Sequence, residues 1–330
     1  MQYNLHQPIN QLWFTATNSP TLRILTGMNM NNRSVSWIIF ALLCFIWGSS
    51  FKLMKDSAAV LTASQIAALR IFSAGLVFIP FAVFHFPKIP EKKIGIVILS
   101  AVFGNLLPAF LFAAALTKID SSLGGILNSL TPICVVVVGI FFFKDRIGTQ
   151  KIAGVLTGFA GLVLLTLAHV ITGEKTIRFD NFSYTLLVLL ATFLYGINVN
   201  MVSHYLKGVN PIYIATVSLA FMTIPAGLAL WQQGFPRLDF SGKSLQAAVI
   251  AVILLGVVGS AVATALFYIL VKKSGGLFAS LVTYGIPFVA LFWGFMDGEK
   301  ITWVEILCLG VILMGVYLAN RPEKKATADS

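Results

Sequence analysis

The sequence predicts an all-α membrane protein of ten transmembrane helices, built as a five-plus-five inverted repeat with both termini cytoplasmic. Three observations carry this prediction. First, 58% of the 330 residues are hydrophobic and 11% are charged, which leaves too little polar side chain to clothe a soluble domain of this size. Second, from Val35 onward the chain divides into apolar runs of about 20 residues, the length that crosses about 30 Å of hydrocarbon as helix. Third, the stretch from Ser121 to Lys151 has a second version from Gly276 to Glu305. In it Pro287 answers Pro132, and Glu299 with Lys300 answers Asp145 with Arg146.

In chain order, residues 1–34 form a polar leader without the apolar core or cleavage site of a signal peptide, and Met1, Met28 and Met30 are each candidate starts. The first repeat, 35–170, holds helices at Val35–Met54, Ala63–Phe84, Ile94–Leu116, Ser121–Phe143 and Gln150–His169. A polar linker at 171–181 leads to the second repeat, 182–320, with helices at Phe182–His204, Pro211–Trp231, Leu245–Val271, Gly276–Met296 and Ile301–Asn320. Residues 321–330 are a cytoplasmic tail. An N-terminus inside places fourteen Lys and Arg residues in cytoplasmic loops and eight on the other side, in the sense of the positive-inside bias. Five helices per copy is an odd number, so the second copy enters from the opposite face. FIWGSSF at 45–51 against FLYGINV at 193–199, and Gly161 against Gly315, are weaker matches between the halves. Exchange of conformation between two inverted halves is a recurrent way to alternate access.

The net charge of +11 sits between apolar runs, where it meets lipid headgroups, so nucleic acid is not an expected partner. Cys44, Cys134 and Cys308 lie inside apolar runs, unpaired in spacing, and none of the histidines has metal-ligand spacing. No metal or cofactor is expected. All twelve Asp and Glu fall in loops or at helix ends, and no GxSxG, HExxH or P-loop run occurs, so the chain reads as neither an enzyme nor an ATP-driven pump.

The run Trp-Gly-Ser-Ser-Phe at 47–51, Leu-Arg-Ile-Phe at 69–72, Ser-Leu-Thr-Pro at 129–132 and the two acid-base exits resemble the EamA-like family of the drug/metabolite transporters, over residues 35–320. The resemblance implies a ten-helix inner-membrane carrier with both termini inside, commonly an exporter of amino acids or other small metabolites. One departure is that the second half has Val217 near where the first has Arg70.

Arg70 is placed well inside an apolar run, where a charge costs about 2.5 to 3.5 kcal/mol on insertion scales. It reads either as the receiver of a substrate carboxylate or phosphate, or as a guanidinium satisfied by neighbouring carbonyls or snorkelling to a headgroup. Trp47, Ser49 and Ser50, Asn105, Asn128, Tyr195 and Asn198, Ser260 and Thr264, and Thr283 and Tyr284 fall near the expected midplane. They read as cavity lining or as interhelical hydrogen bonds. Pro108, Pro132 and Pro287 are expected mid-helix kinks, and Gly154, Gly158, Gly161 and Gly310, with Met314 next to Gly315, close-packing faces. Asp145, Arg146, Glu299 and Lys300 read as gate-side charges or as solvated helix ends.

The function expected is a secondary transporter, an exporter of amino acids or related zwitterions, in the inner membrane, with the substrate and membrane lipids as partners. A multidrug or cation transporter, a nucleotide-sugar transporter and a channel-like protein are the alternatives. With no midplane carboxylate in the sequence, facilitated export or exchange is expected ahead of proton coupling. Pairing with a second copy is allowed, but no feature indicates it.

Overall fold

The computed structural model describes residues 32–119, 121–171, 182–296 and 302–321. Most of the leader, most of the linker, most of the tail, and Glu299 with Lys300 lie outside them. The described residues form helices α1 (Asn32–Ser57), α2 (Ala63–His85), α3 (Glu91–Ala115), α4 (Ser121–Asn128), α5 (Thr131–Phe143) and α6 (Thr149–Ile171). They continue as α7 (Phe182–His204), α8 (Pro211–Gln232), α9 (Lys243–Ser274), α10 (Gly276–Ser280), α11 (Val282–Met296) and α12 (Trp303–Asn320). Among the described residues nine spans are long and apolar enough to cross a membrane, counting α10 and α11 together, and α5 is a shorter apolar helix. No strand occurs among them. The chain is a multi-pass membrane protein.

Local chemistry sets the helix starts. Thr62 and Gln65 at α2, and Thr302 and Glu305 at α12, make reciprocal capping boxes, while Asn210 caps α8 ahead of Pro211. Two long helices carry a π turn, Val102–Leu106 in α3 and Val257–Val262 in α9. Such a turn widens the coil and loosens the backbone ladder.

The expected helix from Ser121 to Phe143 is broken instead at Ser129 and Leu130, and the helix from Gly276 is broken at Leu281. Pro132 is therefore not a mid-helix kink. It sits in the first turn of α5, where its missing N–H leaves no bond unmade. Pro108 occupies the equivalent place after the π turn of α3, whereas Pro287 is inside α11.

The helices pair in a pattern that recurs between the halves. α5 packs on α7 as α11 packs on α1; α3 packs on α7 as α9 packs on α1; α2 pairs with α8 and α6 with α12. Gly154, Gly158 and Gly315 make the last contact a backbone-to-backbone one. A Cβ on Gly315 would meet the Gly158 backbone and the Gly154 carbonyl. Gly161 faces Ile312, but Gly310 meets nothing within 4 Å and is no part of the seam.

Loops expected on the cytoplasmic side meet at one end. Lys93 Nζ donates to the Lys207 carbonyl (3.0 Å), Ser274 Oγ donates to Ser36 Oγ (2.7 Å), and Lys88 lies 5.2 Å over the Tyr213 ring. At the other end Gln65 Nε2 donates to the Gln233 carbonyl (3.2 Å) and Ser57 Oγ to that of Ala248 (3.4 Å).

Candidate functional site

Between α1, α2, α3, α7, α9 and the two broken helices lies a cavity of about 160 Å³. That is close to the roughly 150 Å³ of an engineered cavity that takes benzene, and below the roughly 300 Å³ where drug-sized pockets begin. Met54 and Leu116 line it near the ends of α1 and α3 away from the Lys93–Lys207 face.

Its walls are duplicated in register. Gly104, Asn105, Ala109, Phe112 and Asn128 of the first half stand 155 positions before Gly259, Ser260, Thr264, Phe267 and Thr283 (for example 104 to 259), and Trp47 and Ser50 stand 148 before Tyr195 and Asn198 (47 to 195). Contacts follow the same shifts. Phe112 stacks on Tyr195 with centroids 6.2 Å apart, and Phe267 lies 5.5 Å from Trp47. Gly104 abuts Asn198, and Gly259 abuts Ser50. Gly48 of α1 lies against Val289 of α11 as Gly196 of α7 lies against Cys134 of α5, again 155 positions apart (134 to 289). A side chain at Gly48 would run into Val289 Cβ and one at Gly196 into the Cys134 backbone, so these two glycines let their helix pairs approach closely beside the cavity.

Arg70 is the one charged residue among the described residues that line the cavity, and it is half-buried. Its Nε donates to Ser260 Oγ (2.6 Å) and its Nη2 to the Gly259 carbonyl (3.4 Å). That carbonyl belongs to the π turn of α9 and also accepts from Trp47 Nε1 (3.0 Å). The guanidinium is thus braced along its Nε–Nη2 edge, with both Nη1 hydrogens and the second Nη2 hydrogen left over. Its counterpart region in α8 carries Val217, fully buried.

Asn128 and Asn198 each present a buried Oδ1 with no hydrogen-bond partner, while the buried Tyr268 hydroxyl is approached by the side chains of Ser100 and Asn198. All three residues line the cavity. An unpaired buried polar atom costs about 1 to 3 kcal/mol, so each of the two amide oxygens would gain from a donor brought to it. Asn105 is already occupied, its Oδ1 accepting from Thr264 Oγ1 (3.1 Å), and Ser50 Oγ donates to the Ile46 carbonyl (2.7 Å).

Three residues of the midplane set do not line the cavity. Tyr284 is fully buried against Gly158 of α6, with its hydroxyl donating to the Val155 carbonyl (2.9 Å), because the missing side chain at Gly158 leaves a slot for its ring. Ser49 accepts from Trp293 Nε1 (2.9 Å). Ser260 acts behind the wall by holding Arg70. Thr283 does line it, with its Oγ1 donating to the Ser280 carbonyl (3.0 Å). The sequence reading missed Phe112, Phe267, Tyr268 and the glycines Gly104 and Gly259. Carrying the 155-residue spacing through Asn105 reaches Ser260 and Gly259 directly.

A family profile described as the EamA-like transporter family matches residues 35–167 and again 182–321. The chain belongs to the EamA-like transporter family. Among EamA-like relatives, a WAT1-related chloroplastic protein of Arabidopsis thaliana is 28% identical over 88% of this chain and 70% of its own length. An uncharacterized transporter of Archaeoglobus fulgidus is 25% identical over 86% and 98%, respectively. The uncharacterized inner membrane transporter YedA of Escherichia coli is 24% identical over 86% of this chain and 89% of its own. A crystal structure of a protein 18% identical shares the fold, with a TM-score of 0.67 over 87% of this chain and 96% of that one.

Of the gate-side charges, Asp145 pairs with His204 at 2.9 Å rather than with Arg146. Arg146 faces a second recess of about 440 Å³ at the Lys93–Lys207 end, together with Lys151, Asn200 and Arg321. Among the described residues no cluster of three metal-ligating side chains occurs.

Proposed function

We propose that this EamA-like protein is a secondary carrier of the cytoplasmic membrane that exports a small zwitterion, an amino acid or a close relative, by alternating access between two inverted five-helix halves with both termini inside. The carrying observation is the arrangement across the cavity: a braced guanidinium at Arg70 on one side, and the unpartnered acceptor oxygens of Asn128 and Asn198 on another. Arg70 offers a carboxylate a charge-assisted bond, and the asparagine oxygens accept from an ammonium. Trp47, Phe112, Tyr195 and Phe267 supply apolar faces for the rest of the molecule.

The size of the cavity favours a metabolite over a nucleotide sugar, and the cation at Arg70 disfavours cationic drugs. Duplicated wall contacts and the two profile matches support the inverted repeat. No carboxylate lines the cavity among the described residues, which favours facilitated export or exchange.

Counterflow tests the reading. Purified protein in liposomes loaded with one unlabelled metabolite at a time, without ion gradients, is expected to accumulate the same labelled compound when it is an amino acid. No protein-dependent accumulation across amino acids, with correct insertion verified, would refute the substrate class.

A further inference from the structure

At the Lys93–Lys207 end of the bundle, α5 finishes on Lys144, whose left-handed backbone (φ 56°) lets the Asp145 N–H bond the Gly139 carbonyl (2.9 Å). This cap turns the Asp145 side chain back over Gly139, which lacks the Cβ that would meet Asp145 Oδ2 at 3.0 Å. Across from it stands His204, at the end of α7 in the other half. Its Nε2 lies 2.9 Å from Asp145 Oδ1, its Nδ1 lies 2.9 Å from the Asn200 carbonyl, and its ring packs on Phe143 with centroids 4.6 Å apart.

The two ring nitrogens face two acceptors. A backbone carbonyl only accepts, so Nδ1 carries a hydrogen. An ionised carboxylate also only accepts, so Nε2 must carry one too, and a neutral imidazole has one N–H to give. Both bonds exist together only if the pair holds one proton more than neutral histidine and carboxylate, either as imidazolium or as carboxylic acid donating to Nε2. Both side chains are about one-third exposed, at 34% and 33%, so water reaches that proton.

We propose that His204 and Asp145 form a proton-binding latch between the two halves, so that closure of this face takes up one proton from the cytoplasm and its opening releases it. Lys144 and Arg146 beside Asp145, Lys151 of α6, Lys207 one turn beyond His204 and Arg321 after α12 are the cations nearest the pair in sequence or around the recess, Lys88, Lys93, Lys272 and Lys273 stand elsewhere on the same face, and Tyr205 lies across Phe143. The ends of α9 and α10 contribute the uncharged Ser274 and Gly276. Among the described residues Asp145 is the one carboxylate lining the recess. Because the closed state binds the extra proton, closure is favoured at low cytoplasmic pH and lost as pH rises. One proton allows at most about a tenfold change in the open-to-closed ratio per pH unit.

The consequence for transport rests on the carrier reading, so the test reads geometry first. Spin labels at the exposed Thr149 and Lys207 positions, on opposite halves of this face, report the distance between them in detergent or liposomes from pH 5.5 to 8.5. In the otherwise native protein a longer-distance population is expected to grow with pH. His204→Gln, whose amide still donates to Asp145, is expected to remove the pH response. Asp145→Asn supplies an N–H to Nε2 of a neutral ring and is expected to stay closed throughout. Distances independent of pH, a response of opposite sign, or a response that survives both substitutions would overturn the latch. Adding substrate to the same samples separates the two readings: a substrate-driven distance change with no pH effect sinks the latch and leaves the carrier.

Discussion

If Arg70 receives a carboxylate, Arg70→Ala removes two charge-assisted hydrogen bonds from the bound state. Each such bond contributes about 1.5 to 3 kcal/mol, and the lower end is taken because Arg70 already directs two donors to Ser260 and Gly259. The pair then amounts to about 3 kcal/mol, on the order of a hundredfold in affinity. The change also strips a donor from Ser260 Oγ and from the Gly259 carbonyl, which keeps its bond from Trp47. A comparison within each protein isolates the substrate bond from these side effects. Competition of counterflow by an amino acid and by its decarboxylated amine is expected to favour the amino acid by about a hundredfold in the native protein. Arg70→Ala should lose that discrimination. Arg70→Lys should keep part of it, because the ammonium cannot brace on Ser260 and present a planar fork at once. An alanine variant with native discrimination would remove Arg70 from the site and refute the charge argument with it.

Three further outcomes follow from the packing. Trp47→Phe keeps a ring against Phe267 but loses the N–H bonded to Gly259, so half-saturation in counterflow should rise about fivefold, for roughly 1 kcal/mol. Gly315→Ala drives a Cβ into the Gly158 backbone and should cost about 1 to 3 kcal/mol, read as a lowered melting temperature, while Gly310→Ala on the same helix, with open space around it, should not lower it. Cysteines replacing the exposed Lys88 and Lys272 should both label with an impermeant reagent only from the cytoplasm; labelling of one from outside would sink the orientation.

Much of the bundle was legible because a membrane imposes a simple rule: backbone groups must bond internally and side chains must be apolar over about 20 residues. The long helices α7 and α8 accordingly begin where the apolar runs begin. The break at Ser129–Leu130 had a signal in Pro132, which cannot donate to the carbonyl four residues back and suits a first helical turn, whereas at Leu281 no residue forbids a helix and Pro287 comes six residues later. The π turns escaped because VFGNL and VVGSAV are ordinary helical text, with no residue type that demands a wider turn. Within the site, polar residues such as Asn128 and Asn198 announced themselves by being expensive in lipid, whereas Phe112 and Phe267 look like any other lipid-facing phenylalanine. The Asp145–His204 contact spans 59 positions and depends on a left-handed cap, so the sequence gives each partner only as a solvated helix end.

A binding slot whose opposing walls repeat one another would hold a molecule equally well in two poses related by a half turn. Arg70, facing no second arginine because Val217 stands near its counterpart position, makes one pose far better than the other. On the carrier reading the slot is keyed. Every molecule would enter with the same end leading and would have no need to turn over before it leaves, and the two reversed faces of the bundle would present the passenger with different ends of itself. A protein assembled from two like halves thereby handles its cargo as something with a head and a tail.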